Sequence, residues 1–192
     1  MDRTTLNQYL WFVNCPMKIF AETERVILRE LVETDDIGMF ELDADPEVHR
    51  YLGNKPVTTI EQSQKEIGFI RQQYIDFGIG RWAVIEKTTG NFLGWIGLKL
   101  NTKEVNKHSH FYDIGYRLIK KFWGKGYATE SAIAALDYGF NELNLQTIYG
   151  MADVENTGSN KVLKKIGLTY METFDYSGIL HNWYKMEHFS NT

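Results

Sequence analysis

Between Lys120 and Ser131 the chain reads KKFWGKGYATES. Two glycines, one residue apart, leave the backbone bare. Lysines stand before and between them, and a run of helix formers follows at once. Such a loop at the mouth of a helix points to an anion held on amide N–H groups, because the helix dipole and the missing Cβ atoms both favour it. It also constrains the topology, since a strand entering the loop and a helix leaving it make a crossover, which implies a mixed sheet. Spacing excludes two well-known phosphate loops. A nucleotide-triphosphate loop needs a Lys and then Ser or Thr after its last glycine, whereas Tyr127 follows Gly126. A dinucleotide fingerprint needs a third glycine where Thr129 stands. A plain strand-to-helix turn remains as the alternative.

The length of 192 residues favours one domain, and 43% hydrophobic with 14% aromatic residues suffices for a substantial core. The formal net charge of −4 lacks the basic excess of a general nucleic-acid binder. The single cysteine, Cys15, excludes an intrachain disulfide and fits a reducing cytoplasm. No motif around Cys15 marks it as a nucleophile. No apolar run reaches the length of a membrane helix. Residues 1–16, MDRTTLNQYLWFVNCP, have a short apolar patch but no cationic start and no cleavage site. They read as an N-terminal extension to a domain over residues 17–192, not as a signal peptide.

ERVILREL reads as a strand, followed by a helix from Thr34 and Asp35 to about Asp43 and a short helical piece in DPEVHRYLG. TTIEQSQKEIGFIRQQYIDFG sets Ile60, Ile67, Ile70 and Tyr74 on one face of an amphipathic helix. A hairpin folds around Thr88, Thr89, Gly90 and Asn91, and HFYDIGYRLIK is a strand running into the glycine loop. The helix after the loop carries Ala128, Ala132, Ala135, Leu136 and Phe140 along one stripe. LQTIYGMADV is a further strand, NTGSNKVLKKIG a short helix, and LTYMETFDYSGILHNWYKMEHF a closing hairpin. The sum is one α+β domain, with a mixed central sheet of about seven strands and helices on both faces.

This order of elements, with the loop Lys121-Phe-Trp-Gly124-Lys-Gly126, resembles the GNAT (GCN5-related N-acetyltransferase) superfamily from about Glu22 to His188. The family's loop begins with Gln or Arg where Lys121 stands. WGKGYATE after the strand DIGY, and then Asn156, Ser159, Val162, Leu163, Lys165 and Gly167, resemble the Rim-type branch that acetylates ribosomal-protein N-termini.

The resemblance implies a cytoplasmic N-acetyltransferase that uses acetyl-CoA and no metal. The diphosphate would lie on the backbone of Trp123, Gly124, Lys125, Gly126, Tyr127 and Ala128, flanked by Lys121, Phe122 and Thr129. The pantetheine arm would run along free backbone groups of Arg117 and Leu118, between that strand and QTIYGMADV, with Asn156 and Asn160 beside it. Ser159 would protonate the departing thiolate, against the alternative that it caps a helix. The base is left open between Asp113, Glu86 and water. The acceptor is an amine, either a protein N-terminus or a small molecule such as a polyamine or aminoglycoside. It would be shaped by residues 45–79 and the closing hairpin, with Tyr51, Trp82, Tyr176 and Trp183. Membrane and nucleic acid are not expected as partners, and dimerisation is common among relatives. A non-catalytic acyl-CoA-binding module is the alternative function. His108 and His110 read as loop residues, because no third ligand accompanies them.

Overall fold

The computed structural model describes residues 17–188. The expected extension over residues 1–16, with Cys15, lies outside them. Two short strands open the fold, β1 (Ile19–Glu22) and β2 (Val26–Glu30). After a tight turn at Glu33–Asp35 come α1 (Asp36–Asp43), α2 (Pro46–His49) and the long α3 (Ile60–Phe77). Then follow β3 (Arg81–Glu86), β4 (Phe92–Asn101) and β5 (Phe111–Leu118). The glycine loop leads into α4 (Tyr127–Asn141), and β6 (Thr147–Asp153), α5 (Thr157–Lys165), β7 (Thr169–Tyr176) and β8 (Ile179–Glu187) complete the chain.

The strands form one mixed sheet in the order β1-β2-β3-β4-β5-β6-β8-β7. It has eight strands where about seven were expected. The addition is β1, which is only four residues long and carries too little alternation to be read from sequence. Tyr138 on α4 meets Trp82 of β3 edge-on at 5.2 Å, and Phe20 of β1 stacks on the same indole at 4.5 Å. Gly139 brings α4 close to Leu98 and Ile148 on that face. On the opposite face α1 packs against α3 and β4, where Gly38 lies against the Phe92 ring. Trp82 and Trp183 are fully buried in the interior, so neither lines an acceptor surface as expected.

One feature of the sheet positions the site. Every neighbouring pair is antiparallel except β5 and β6, which run parallel and share a single register pair, Asp113 with Tyr149. Beyond it β5 stays paired with β4 as far as Leu118, and β6 stays paired with β8 as far as Asp153. The two parallel strands therefore part, and their adjacent backbone edges lack the ladder that would otherwise satisfy them.

Candidate active site

The glycine loop closes the parted end of β5. Gly124 (φ 73°) and Gly126 (φ 86°) both adopt left-handed backbone, which a side chain would strain. Gly126 is the N-cap of α4 and offers no side chain to the first-turn amides, so those donors remain for a ligand. Nothing lies within 4 Å of where a Cβ on Gly124 would stand. Lys121 pairs with Glu41 at 2.6 Å and Lys120 with Glu47 at 3.7 Å, both on the surface. Lys125 makes no ion pair among the described residues, and its ammonium sits 5.5 Å from the Phe122 ring. Phe122 and Tyr127 are buried, whereas Ala128 and Thr129 are half-buried in the first turn of α4. An uncapped helix end with bare backbone and lysines fits a diphosphate.

The backbone of β5 differs from expectation at one point. The Trp123 indole N–H donates to the Leu118 carbonyl at 2.6 Å, so this oxygen already has one partner. The Arg117 side chain turns to the α1 face, where it pairs with buried Asp43 and lies 5.0 Å from the Trp95 ring. His49 Nε2 stands 3.4 Å from the same Asp43 carboxylate.

Ser159 lies in the first turn of α5 but does not cap it. The cap is Asn156, whose Oδ1 accepts the Ser159 N–H at 3.0 Å. The Ser159 hydroxyl instead meets the Tyr116 phenol of β5 at 2.9 Å. Burial pushes the Tyr116 pKa well above its ordinary value, with the hydrogen bond to Ser159 pulling the other way. Asn160 is taken up wholly by the fold. Its Nδ2 donates to the Asp153 and Asn156 carbonyls, and its Oδ1 accepts from Asn182 and Tyr184. It fastens α5 to β6 and β8 and has no polar group left for a cofactor.

Asp113, one of the candidate bases, is tied into the sheet. It is 6% exposed and both its oxygens are engaged, Oδ2 by Arg81 Nη2 at 2.8 Å and Oδ1 by Asn101 Nδ2 at 2.7 Å. The Arg81 guanidinium crosses the sheet over Gly115, where a Cβ would stand 2.6 Å from Nη2. It also donates to the carbonyls of Gly97 and Asp113. Asp113 is thus half of a buried brace across β3, β4 and β5, with each oxygen committed to a side-chain donor. Glu86 is at the wrong end, beside the glycine loop, bonded to Thr89 and Tyr127. Those two hydrogen bonds, Thr89 first, hold its pKa below the ordinary value.

Two groups were missed by sequence reasoning. Glu66, an exposed residue of α3, has its carboxyl within electrostatic reach of Asp43, Arg117 and Lys99. Its pKa is raised, first by partial burial and then by the charge of Asp43. Lys99 of β4 has its pKa lowered by burial, against the pull of Asp113. These residues come from separate elements, and no local pattern announces their meeting. His108 stacks on Trp183 at 5.6 Å, and among the described residues no set of three His, Cys, Asp or Glu converges as a metal site. No helix among them is long and apolar enough to cross a membrane.

Comparison with known proteins gives the geometry its context. Residues 25–169 match the acetyltransferase (GNAT) domain family. The uncharacterized N-acetyltransferase p20 of Bacillus licheniformis is 31% identical over 163 residues, 85% of this chain and 86% of that protein. The spermidine N(1)-acetyltransferase of Escherichia coli K12 is 28% identical over 165 residues, 84% of each chain. A GNAT-family acetyltransferase structure from Bacillus anthracis superposes with a TM-score of 0.72 at 27% identity, covering 86% of this chain and 96% of that one. The fold of RimL, the ribosomal L7/L12 alpha-N-protein acetyltransferase in complex with coenzyme A, matches with a TM-score of 0.73 at 19% identity, covering 88% and 98%. The parted β5 and β6, the glycine loop before α4 and these matches lead to one conclusion: the chain belongs to the GNAT acetyltransferase family.

Proposed function

We propose that this N-acetyltransferase moves the acetyl group of acetyl-CoA directly onto an α-amino group, with Ser159 as proton donor to the leaving thiolate. The diphosphate sits at the glycine loop, and the pantetheine arm enters between β5 and β6 beyond the Asp113–Tyr149 pair. Ser159 and Tyr116 stand on the α5 side of that slot, and Arg117, Asp43 and Glu66 on the other. The amine nitrogen attacks the thioester carbonyl and a tetrahedral intermediate forms. Its collapse breaks the C–S bond, the sulfur takes the Ser159 proton, and the ammonium proton passes through water to restore the serine hydroxyl.

The observation that carries the acceptor reading is the engagement of both Asp113 oxygens. With this carboxylate buried against Arg81 and Asn101, which disfavours its protonation, and Glu86 beside the glycine loop, deprotonation falls to water in this reading. That suits an α-amino group (pKa ~8) far better than a lysine or polyamine amine (~10.4) at neutral pH. A polyamine is the second reading, favoured by the likeness to the E. coli spermidine enzyme and by the Glu66 carboxylate close to that of Asp43.

An assay of CoA release with N-terminal peptides and with spermidine, from pH 6.5 to 9.5, separates the two. The proposal requires peptide turnover that saturates near the α-amine pKa. Turnover confined to spermidine would overturn the acceptor, and none with any amine would leave a non-catalytic binding module.

A further inference from the structure

The glycine loop is held from outside by a residue of the β1–β2 turn. Arg25, in the turn before β2, donates its backbone N–H to Glu130 Oε1 at 3.1 Å and its Nε to Glu130 Oε2 at 2.6 Å. Thr23 Oγ1 adds a bond to the same carboxylate at 2.5 Å. The guanidinium lies 4.4 Å from the Tyr127 ring centroid, and its Nη1 donates to the Lys125 carbonyl at 3.0 Å. Arg25 therefore touches three successive parts of the loop and helix start: Lys125, Tyr127 and Glu130.

The contact with Lys125 has a geometric consequence. In a planar trans peptide the C=O and the following N–H point to opposite sides. A Lys125 carbonyl drawn outward to Arg25 turns the Gly126 N–H inward, away from the guanidinium. A Cβ on Gly126 would stand 3.4 Å from Arg25 Nη2, so the glycine also faces this residue on its outer side. Glu130 balances the charge of Arg25, so the guanidinium acts through geometry rather than as a cation for the ligand.

We infer that Arg25 is a positioning residue for the CoA diphosphate, orienting the Lys125–Gly126 peptide so that its amide faces the anion. This rests on the glycine loop being the diphosphate seat. A fork donor is needed, because one group must hold Glu130 and Lys125 at once.

The test titrates CoA into Arg25→Met and Arg25→Lys by calorimetry, and measures kcat/KM with acetyl-CoA and with S-acetylpantetheine, a donor lacking the diphosphate. Arg25→Met should bind CoA roughly tenfold more weakly, the scale of one charge-assisted hydrogen bond. Its kcat/KM should fall alike with acetyl-CoA and stay within about twofold with S-acetylpantetheine. Arg25→Lys keeps the Glu130 pair, and so the fold, but loses the fork and should show the same selective loss. Unchanged CoA affinity in the folded variants would overturn the role, as would equal losses with both donors. If Gly126→Val loses CoA while the Arg25 variants keep it, the loop reading stands and the Arg25 role fails. If Gly126→Val also keeps CoA, the loop reading itself falls.

Discussion

The phenol oxygen of Tyr116 lies 2.9 Å from both the hydroxyl and the carbonyl oxygen of Ser159. One phenolic proton serves two acceptors. When it goes to the carbonyl, the serine proton must turn to the phenol. When it goes to the hydroxyl oxygen, the serine proton is left free, which is the arrangement that the proposed acid role requires. Burial raises the Tyr116 pKa, so the phenol holds its proton at neutral pH and can donate it to Ser159.

Ser159→Ala should lower kcat by roughly 10²-fold, the low end for losing a general acid, because a thiolate is already a fair leaving group. Its melting temperature should barely move, since the cap of α5 comes from Asn156. Asn156→Ala is the counterpart, losing about 1 kcal/mol of stability through the cap. Steady-state kinetics beside thermal melts decide it. A Ser159→Ala protein with near wild-type kcat would remove the serine from the chemistry.

Asp113→Asn leaves the Arg81 guanidinium buried opposite a neutral amide. Breaking one partner of a buried pair costs about 3–5 kcal/mol, so denaturant unfolding should show a loss of that order. The pH–rate profile, normalised to its maximum, should keep the wild-type shape. A profile that loses its acidic limb in this variant would restore Asp113 as the base.

Local patterns made the frame legible. The alternation of β5, the glycines, the small-residue stripe of α4 and the Asn156–Ser159 spacing all sit within short windows. Ala132, Ala135, Leu136 and Phe140 are indeed buried. What stayed hidden depends on register and long-range contacts. Arg81 of β3 meets Asp113 of β5 over the intervening β4, Arg25 reaches Glu130 of a helix 105 residues later, and Tyr116 of β5 finds Ser159 of α5. Asp113 stood among the candidate bases because a sequence displays a carboxylate but not its partners. Capping was the alternative for Ser159 because serine suits that place, whereas Asn156 already fills it.

Glu66 gives a pH signature. Its folded pKa is raised above 4.5 by burial and by Asp43, so the fold disfavours the ionised carboxylate. Stability from this group is present while it is protonated and falls as pH rises from the unfolded pKa through the folded one. Glu66→Gln should therefore melt higher than wild type at pH 7, with the gap closing below pH 4.5. Melting curves that run in parallel across that range would contradict the shift.

The central claim is that acetyl-CoA is held by bare backbone at the start of α4, and calorimetric titration of CoA into Gly126→Val tests it most directly. Valine at φ 86° strains the left-handed backbone that aims the loop amides, and its side chain would press on Arg25, whose Nη2 lies 3.4 Å from the Cβ position. The account predicts a folded protein, about 1–3 kcal/mol less stable, whose CoA dissociation constant rises by well over tenfold. Wild-type affinity in the folded variant would contradict it.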